Sequence, residues 1–313
     1  MSKTINILCA TDDNYVPYCG IMLTSVFDNN KDSEIEVYIL IDKPLSVSNC
    51  RRIERLSRHY HQKIHLVMVD NSFVAQFPTR GMSYWSVAMY YRLFAAELLP
   101  NSIDTILYLD CDIIVNSSIE SLFEIDMEDA AIASVCDIYN FSTECSERLG
   151  YPPEGGYFNS GVMLMNMSYW REHRIGEECL DYLKNNYNCL LANDQDVLNA
   201  ILWDRKLELP LTYNYQLQFL SSYFFNLQSP SMKQNILDTY ENPTIIHYAY
   251  SIKPWSVMYY RLPFSDVWEH YKRISQWSHT LPTLPRRKVV NNLIKRYIMW
   301  PMGLMKYNSG FVV

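Results

Sequence analysis

The chain has 313 residues, 49% of them hydrophobic, and a formal net charge of −7, enough to bury a full core in one catalytic-size domain with an appendage. That composition excludes a disordered chain, the acidic balance argues against a nucleic-acid partner, and no run of about 18 apolar residues exists to cross a bilayer. The eight cysteines are scattered, without CxxC pairs or zinc-finger spacing, and residues 1–10 lack the apolar core and cleavage site of a signal peptide, so reduced thiols and a cytoplasmic location are expected.

Short β-branched and aliphatic runs at 5–9, 35–41 and 64–69 alternate with helical patterns around 18–27 and 47–61, which predicts βαβ units. Pro17 suits the first turn of the first helix, and the preceding turn places Thr11, Asp12, Asp13 and Asn14 at the carboxyl end of strand one, where open α/β sheets bind ligands. That turn has no GxGxxG, and the chain has only nine glycines, which excludes a dinucleotide-type Rossmann site. A helix is expected over 86–98, strands over 105–110, 131–136 and 162–166, helices over 169–186 and from 193, and a last short strand at 244–247.

The run 106–109 is a buried strand that stops at Asp110-Cys111-Asp112. Two carboxylates spaced i and i+2 on an extended chain share a face, and such a pair can hold a hard divalent cation that also grips the phosphates of a nucleotide. Taken alone, the pair reads more readily as ordinary turn chemistry after a strand.

Five blocks together give a more specific signal: Tyr90-Tyr91-Arg92-Leu93; residues 107–112; Tyr157-Phe158-Asn159-Ser160-Gly161-Val162; Asn193-Asp194-Gln195-Asp196; and His247 through Lys253-Pro254-Trp255. In order and spacing they resemble glycosyltransferase family 8, over most of residues 1–260, and in particular its bacterial members that extend lipopolysaccharide or other surface glycans. The resemblance implies a GT-A fold, a Rossmann-like nucleotide-binding mixed sheet flanked by helices. It also implies UDP-galactose or UDP-glucose as donor, a saccharide or lipid-linked acceptor, Mn2+ with Mg2+ as the alternative, and retention of anomeric configuration.

Carried over by block, the resemblance makes Asp110, Asp112 and His247 the metal ligands, a mixed nitrogen–oxygen set that suits Mn2+. It sets Arg92 and Cys111 beside the metal on the donor side, Asp12 and Asn14 with Thr11 at the uridine, and Asn159 at the donor sugar. Lys253 brings a cation to the leaving diphosphate. The family pattern has Gly midway between its His and Lys where this chain has Tyr250, counted here with the donor residues. Asp194 is implied to hold donor hydroxyls and Gln195 to face the anomeric carbon, the two catalytic candidates. Asp137 resembles an acceptor contact.

From the residues alone, Arg92 in an apolar helix could equally pair with a structural Asp, Asn193 could simply cap its helix, and His247 could be a hydrogen-bonded packing histidine. Retention by double displacement needs a carboxylate nucleophile, for which glutamine is poor, so front-face departure fits Gln195 better. Segment 216–231, rich in Tyr, Phe and Gln, is an acceptor wall or a packing segment. Two other functions were weighed: a nucleotidyltransferase making NDP-sugars, whose Gly-rich basic loop is missing near the N-terminus, and an inactive sugar-binding scaffold, which would have lost a metal ligand.

Composition changes late in the chain. Residues 281–313 carry Arg286, Arg287, Lys288, Lys295, Arg296 and Lys306 with no acid, beside Tyr297, Ile298 and Trp300. A catalytic domain over 1–270 and a basic, aromatic tail over 271–313 are expected. The tail, helical over about 288–300, would dock on an anionic membrane and make the enzyme peripheral on it.

Overall fold

The computed structural model describes residues 4–70, 87–249, 253–255, 262–280 and 310–313. A seven-stranded mixed sheet forms its centre, in the order β3-β2-β1-β4-β7-β6-β8, from β1 (Ile5–Ala10), β2 (Ile35–Ile41), β3 (Lys63–Met68), β4 (Thr105–Leu109), β6 (Ile132–Cys136), β7 (Phe158–Asn166) and β8 (Lys206–Glu208). β1, β2, β3 and β4 are parallel, while β7 runs antiparallel to both β4 and β6. The central strands are buried on both faces, which is why β1, β2, β4 and β7 read as nearly unbroken apolar runs.

Helix α1 (Val16–Asn29) starts at Pro17 as expected and is buried along most of its length. The more polar α2 (Val47–Tyr60) begins where the Ser46 hydroxyl accepts the Asn49 N–H. Beyond β7 lie α3 (Ile175–Asn186) and α4 (Asn193–Leu202), and later α5 (Ser265–Ile274). A second, three-stranded sheet, β5 (Ile113–Val115), β10 (Ile245–His247) and β9 (Tyr215–Gln216), packs beside the first. Strands of two or three residues have no readable period, so this sheet was not legible as a unit.

Several boundaries differ from expectation. The helix expected over 169–186 is two, Met167–Glu172 and α3, separated by Arg174 in the left-handed region at φ 52°. Trp170 and Ile175 are both fully buried but five residues apart, a spacing no straight helix can serve with one face. The segment over 87–94 is a 3₁₀ run followed by a short α-helix, Ala95–Leu98. β7 begins four residues earlier than expected and so takes in Asn159 and Gly161, which are strand residues and not a turn.

The domain boundary expected near residue 270 falls inside α5. The body continues past it: Trp277 is fully buried, and its ring occupies the space that a side chain at Gly20 of α1 would fill. Residues 310–313 return to the same body, where Phe311 bridges Ser221 and Val312 N–H reaches Leu220 O at 2.9 Å. The expected tail helix lies outside the described residues. No helix among the described residues is long and apolar enough to cross a membrane.

Candidate active site and metal centre

Asp110 and Asp112 converge because the chain turns between β4 and β5, and not through an extended i, i+2 pair: β4 ends at Leu109, and Cys111 and Asp112 form the turn. The second sheet supplies the third group. β10 runs antiparallel to β5 with His247 opposite Ile113, so the imidazole lies next to Asp112, with Tyr248 N–H on Asp112 O at 2.9 Å. His247 Nε2 stands 3.3 Å from Asp112 Oδ1 and 4.0 Å from Asp110 Oδ2. One ligand atom from each of the three residues lies within 4.8 Å of the others.

The surroundings fit a divalent cation. A Cβ at Gly161 would stand 2.3 Å from His247 Cε1 and 2.8 Å from Asp110 Oδ2, so glycine there keeps the ligand cluster open. Lys253 donates to Asp112 and, at 2.8 Å, to Tyr248 O. Burial by itself would raise the Asp112 carboxyl, but Lys253 and His247 overcome it and hold it far below the usual range. Two residues on, Trp255 stacks on Tyr18 of α1 at 3.9 Å between ring centroids.

Arg92 joins the metal cluster to α4. Its guanidinium donates to Asp110 Oδ1 at 2.8 Å and Ser160 O at 2.7 Å, lies over the Tyr108 ring at 4.1 Å, and has Nε 3.1 Å from Asp194 Oδ2. Burial opposes its charge, yet Asp110 and Asp194 more than offset this and its pKa is raised. The pairing with a buried Asp that the residue alone suggested is thus present, and it is made beside the Asp110–Asp112–His247 cluster. Asp194 is buried, and its Oδ2 faces Arg92 without accepting an aligned hydrogen bond among the described residues. Burial raises its carboxyl to about 6, against the pull of Arg92 and with a push from Asp110.

Gln195 sits just outside. Its Oε1 accepts from Ser160 N–H at 3.0 Å and Asn159 Nδ2 at 3.2 Å, and its Nε2 donates to Asp137 Oδ2 at 3.2 Å. Asn159, expected at the donor sugar, spends its whole amide on protein: Oδ1 accepts from Gly161 N–H and Asn214 Nδ2, and Nδ2 donates to Asp137 and Gln195. Asp137 is likewise buried, accepts from Asn159, Gln195 and Tyr139 N–H, and has its carboxyl raised by burial. Asn193 does not cap α4 with its side chain; it enters the helix at φ 45°, and its Oδ1 accepts from Tyr90.

In the first turn, Asp12 Oδ1 accepts the N–H groups of Asn14 and Tyr15, fixing the entry to α1, while Asn14 is exposed and Thr11 buried. Cys111 reaches back to Ala10 O at 3.3 Å, which ties this turn to the metal loop. Tyr250 lies outside the described residues. Asn214 and Arg148 have no place in the sequence blocks, while Ser160 and Asp196 stand in them without a role of their own. Asp196 is fully buried and accepts from Arg148, from Tyr157, and from the N–H groups of Leu191 and Ala192, which pins the start of α4. Asn214 gave no signal beyond one polar residue between two tyrosines.

A cation-ready cluster at the carboxyl end of β4, backed by a buried Arg–Asp pair, sits where α/β sheets of this kind bind nucleotides, the arrangement of a metal-assisted enzyme. The family model for glycosyl transferase family 8 matches residues 6–258, and the chain belongs to that family: it is an enzyme, a glycosyltransferase. It is 30% identical over 273 residues to the lipopolysaccharide 1,2-glucosyltransferase of Escherichia coli K12, covering 85% of this chain and 79% of that one. To the lipopolysaccharide 1,3-galactosyltransferase of Salmonella typhimurium it is 27% identical over 286 residues, 88% of this chain and 79% of that one. Its fold matches that of the galactosyltransferase LgtC, solved with donor and acceptor sugar analogues, at a TM-score of 0.74, 24% identity, and coverage of 90% of this chain and 98% of that one. The fold is thus GT-A, and membership sets this chain apart from sugar-nucleotide synthesis.

Proposed function

We propose that this enzyme is a metal-dependent, retaining hexosyltransferase that moves galactose or glucose from a UDP-sugar to a saccharide acceptor of a surface glycan such as lipopolysaccharide. The observation that carries the reading is the convergence of Asp110, Asp112 and His247 within 4.8 Å beside the Arg92–Asp194 pair. Asp110, Asp112 and His247 would hold Mn2+, or Mg2+ in its place, which neutralises the diphosphate leaving group. Thr11, Asp12 and Asn14 line the nucleoside end, and Cys111 and Tyr250 belong to the same donor side.

Asp194 offers the donor hydroxyls a fixed carboxylate oxygen that no aligned protein donor occupies, and Arg92 keeps it charged and aimed. Gln195, held by Ser160, Asn159 and Asp137, presents a rigid neutral amide to the sugar, suited to front-face departure and not to covalent trapping. Lys253 follows the diphosphate as its charge grows. The acceptor enters over Asp137, where Tyr139 and, from segment 216–231, Tyr223 expose their rings on either side of Phe224. The basic residues of 281–313 would dock the enzyme on an anionic membrane that carries a lipid-linked acceptor.

The test is transfer and hydrolysis with a panel of UDP-sugars under Mn2+, Mg2+ and chelator, with NMR of the first-formed linkage. Metal-dependent turnover of UDP-galactose or UDP-glucose to an α-linked product is expected. Full activity in chelator, or a β-linked product, refutes the mechanism.

A further inference from the structure

We infer that Asn214, at the end of the 3₁₀ turn Leu211–Asn214, is a positioning residue that fixes the tautomer of His247 and ties the metal cluster to the sugar-side amides. The inference rests on the metal-site reading above and adds a residue to it. Asn214 is fully buried, its Oδ1 lies 2.9 Å from His247 Nδ1, and its Nδ2 donates to Asn159 Oδ1 at 2.9 Å.

The direction of this chain of hydrogen bonds is dictated by two groups that cannot reverse. Gly161 N–H can only donate, so the Asn159 atom it meets at 3.0 Å is the oxygen. The Asp137 carboxylate accepts, so the Asn159 atom 2.9 Å from it is the nitrogen. With Asn159 fixed, Asn214 must turn its nitrogen to Asn159 and its oxygen to His247. That oxygen requires a proton on Nδ1, so in the neutral ring the lone pair that a cation needs is on Nε2, the atom facing Asp110 and Asp112, and any proton Nε2 shares with those carboxylates is the one the cation displaces. The same amide chain passes through Asn159 to Gln195 Oε1 at 3.2 Å, so the ring that ligates the metal and the amide beside the sugar share one hydrogen-bond register.

Full-length Asn214→Ala and Asn214→Asp proteins separate the two halves of this role. The Asp variant keeps an acceptor for Nδ1–H but sets a second oxygen against Asn159 Oδ1, which Gly161 and Asp137 hold in place, so the link from residue 214 to Asn159 breaks and the two side chains are pushed apart. Mn2+ affinity is read by EPR of the free ion, and the tautomer by ¹⁵N NMR of the His247 ring in metal-free protein at alkaline pH, where the ring is neutral. Asn214→Ala is expected to weaken Mn2+ by roughly 10–100-fold and to lose the exclusive Nδ1–H form. Asn214→Asp is expected to keep both while kcat falls with little change in metal affinity. The proposal is overturned if the Ala variant, folded by its thermal melt, keeps wild-type Mn2+ affinity and ring signals, or if the Asp variant loses Nδ1–H. If the Ala variant does not fold, the Asp variant decides alone. Failure of wild-type protein to bind Mn2+ would refute the metal-site reading, while the metal-free ring spectrum still tests Asn214.

Discussion

Asp194→Asn should make the metal-free protein more stable at neutral pH while removing most of its activity. Burial raises the Asp194 carboxyl from an ordinary 3.8 to about 6 despite the Arg92 guanidinium 3.1 Å away, because Asp110 draws on the same arginine. The sign follows from proton binding. Between pH 4 and 6 the native state holds the proton more tightly than the unfolded chain, so Asp194 favours folding in acid, and that contribution is lost as pH rises through about 6. The interval corresponds to up to roughly 3 kcal/mol carried as a penalty above pH 7. An asparagine of the same shape carries no charge to desolvate and leaves Arg92 its bond to Asp110.

Urea denaturation in chelator at pH 4.5 and pH 7.5 measures this directly. The two proteins should be nearly equal in acid, and the Asn variant more stable by about 2–3 kcal/mol at pH 7.5. An Asn variant that is less stable at pH 7.5, or a difference that does not change with pH, would refute the account and make Arg92–Asp194 a net stabilising pair. The carboxylate kept at this cost is the one assigned to the donor hydroxyls, so wild-type turnover should fall as pH drops through about 6.

Gly161→Ala forces a methyl against His247 and Asp110; a loss of roughly 1–3 kcal/mol in stability and the disappearance of any Mn2+-induced rise in Tm are expected by calorimetry. Arg148→Met strands the buried Asp196 carboxylate, and a loss of about 3–5 kcal/mol by denaturant melt is expected, with kcat falling more than donor KM changes because the start of α4 loosens. Lys253→Met frees Asp112 of its ammonium partner, so Mn2+ should bind the free enzyme more tightly while UDP binds the Mn2+ form more weakly, by calorimetric titration; parallel changes in both affinities would contradict the exchange of Lys253 from carboxylate to diphosphate.

What the sequence revealed of this enzyme, and what it withheld, follows from the range of the interactions concerned. Strands such as β1, β2 and β4 announce themselves because burial on both faces writes an apolar run into consecutive residues. Asp110, Asp112 and His247 were legible because their residue types suit a cation and their blocks sit in a family order, although the turn and the antiparallel β5–β10 pairing that bring them together leave no local trace. Asn214 and Arg148, and the part Ser160 plays within its block, were not legible, since each works through a partner 33 to 68 residues away. A buried Asn between two tyrosines looks like any other until the register of β10 on β9 brings His247 to it. The same range separates composition from packing late in the chain: charge composition shifts after residue 280, but Trp277, three residues earlier, packs on Gly20 through a contact spanning nearly the whole chain. Residues that carry charge for chemistry are thus chosen by type and can be read one at a time. Residues that aim them are chosen by geometry, and become visible only once the strands have set their neighbours.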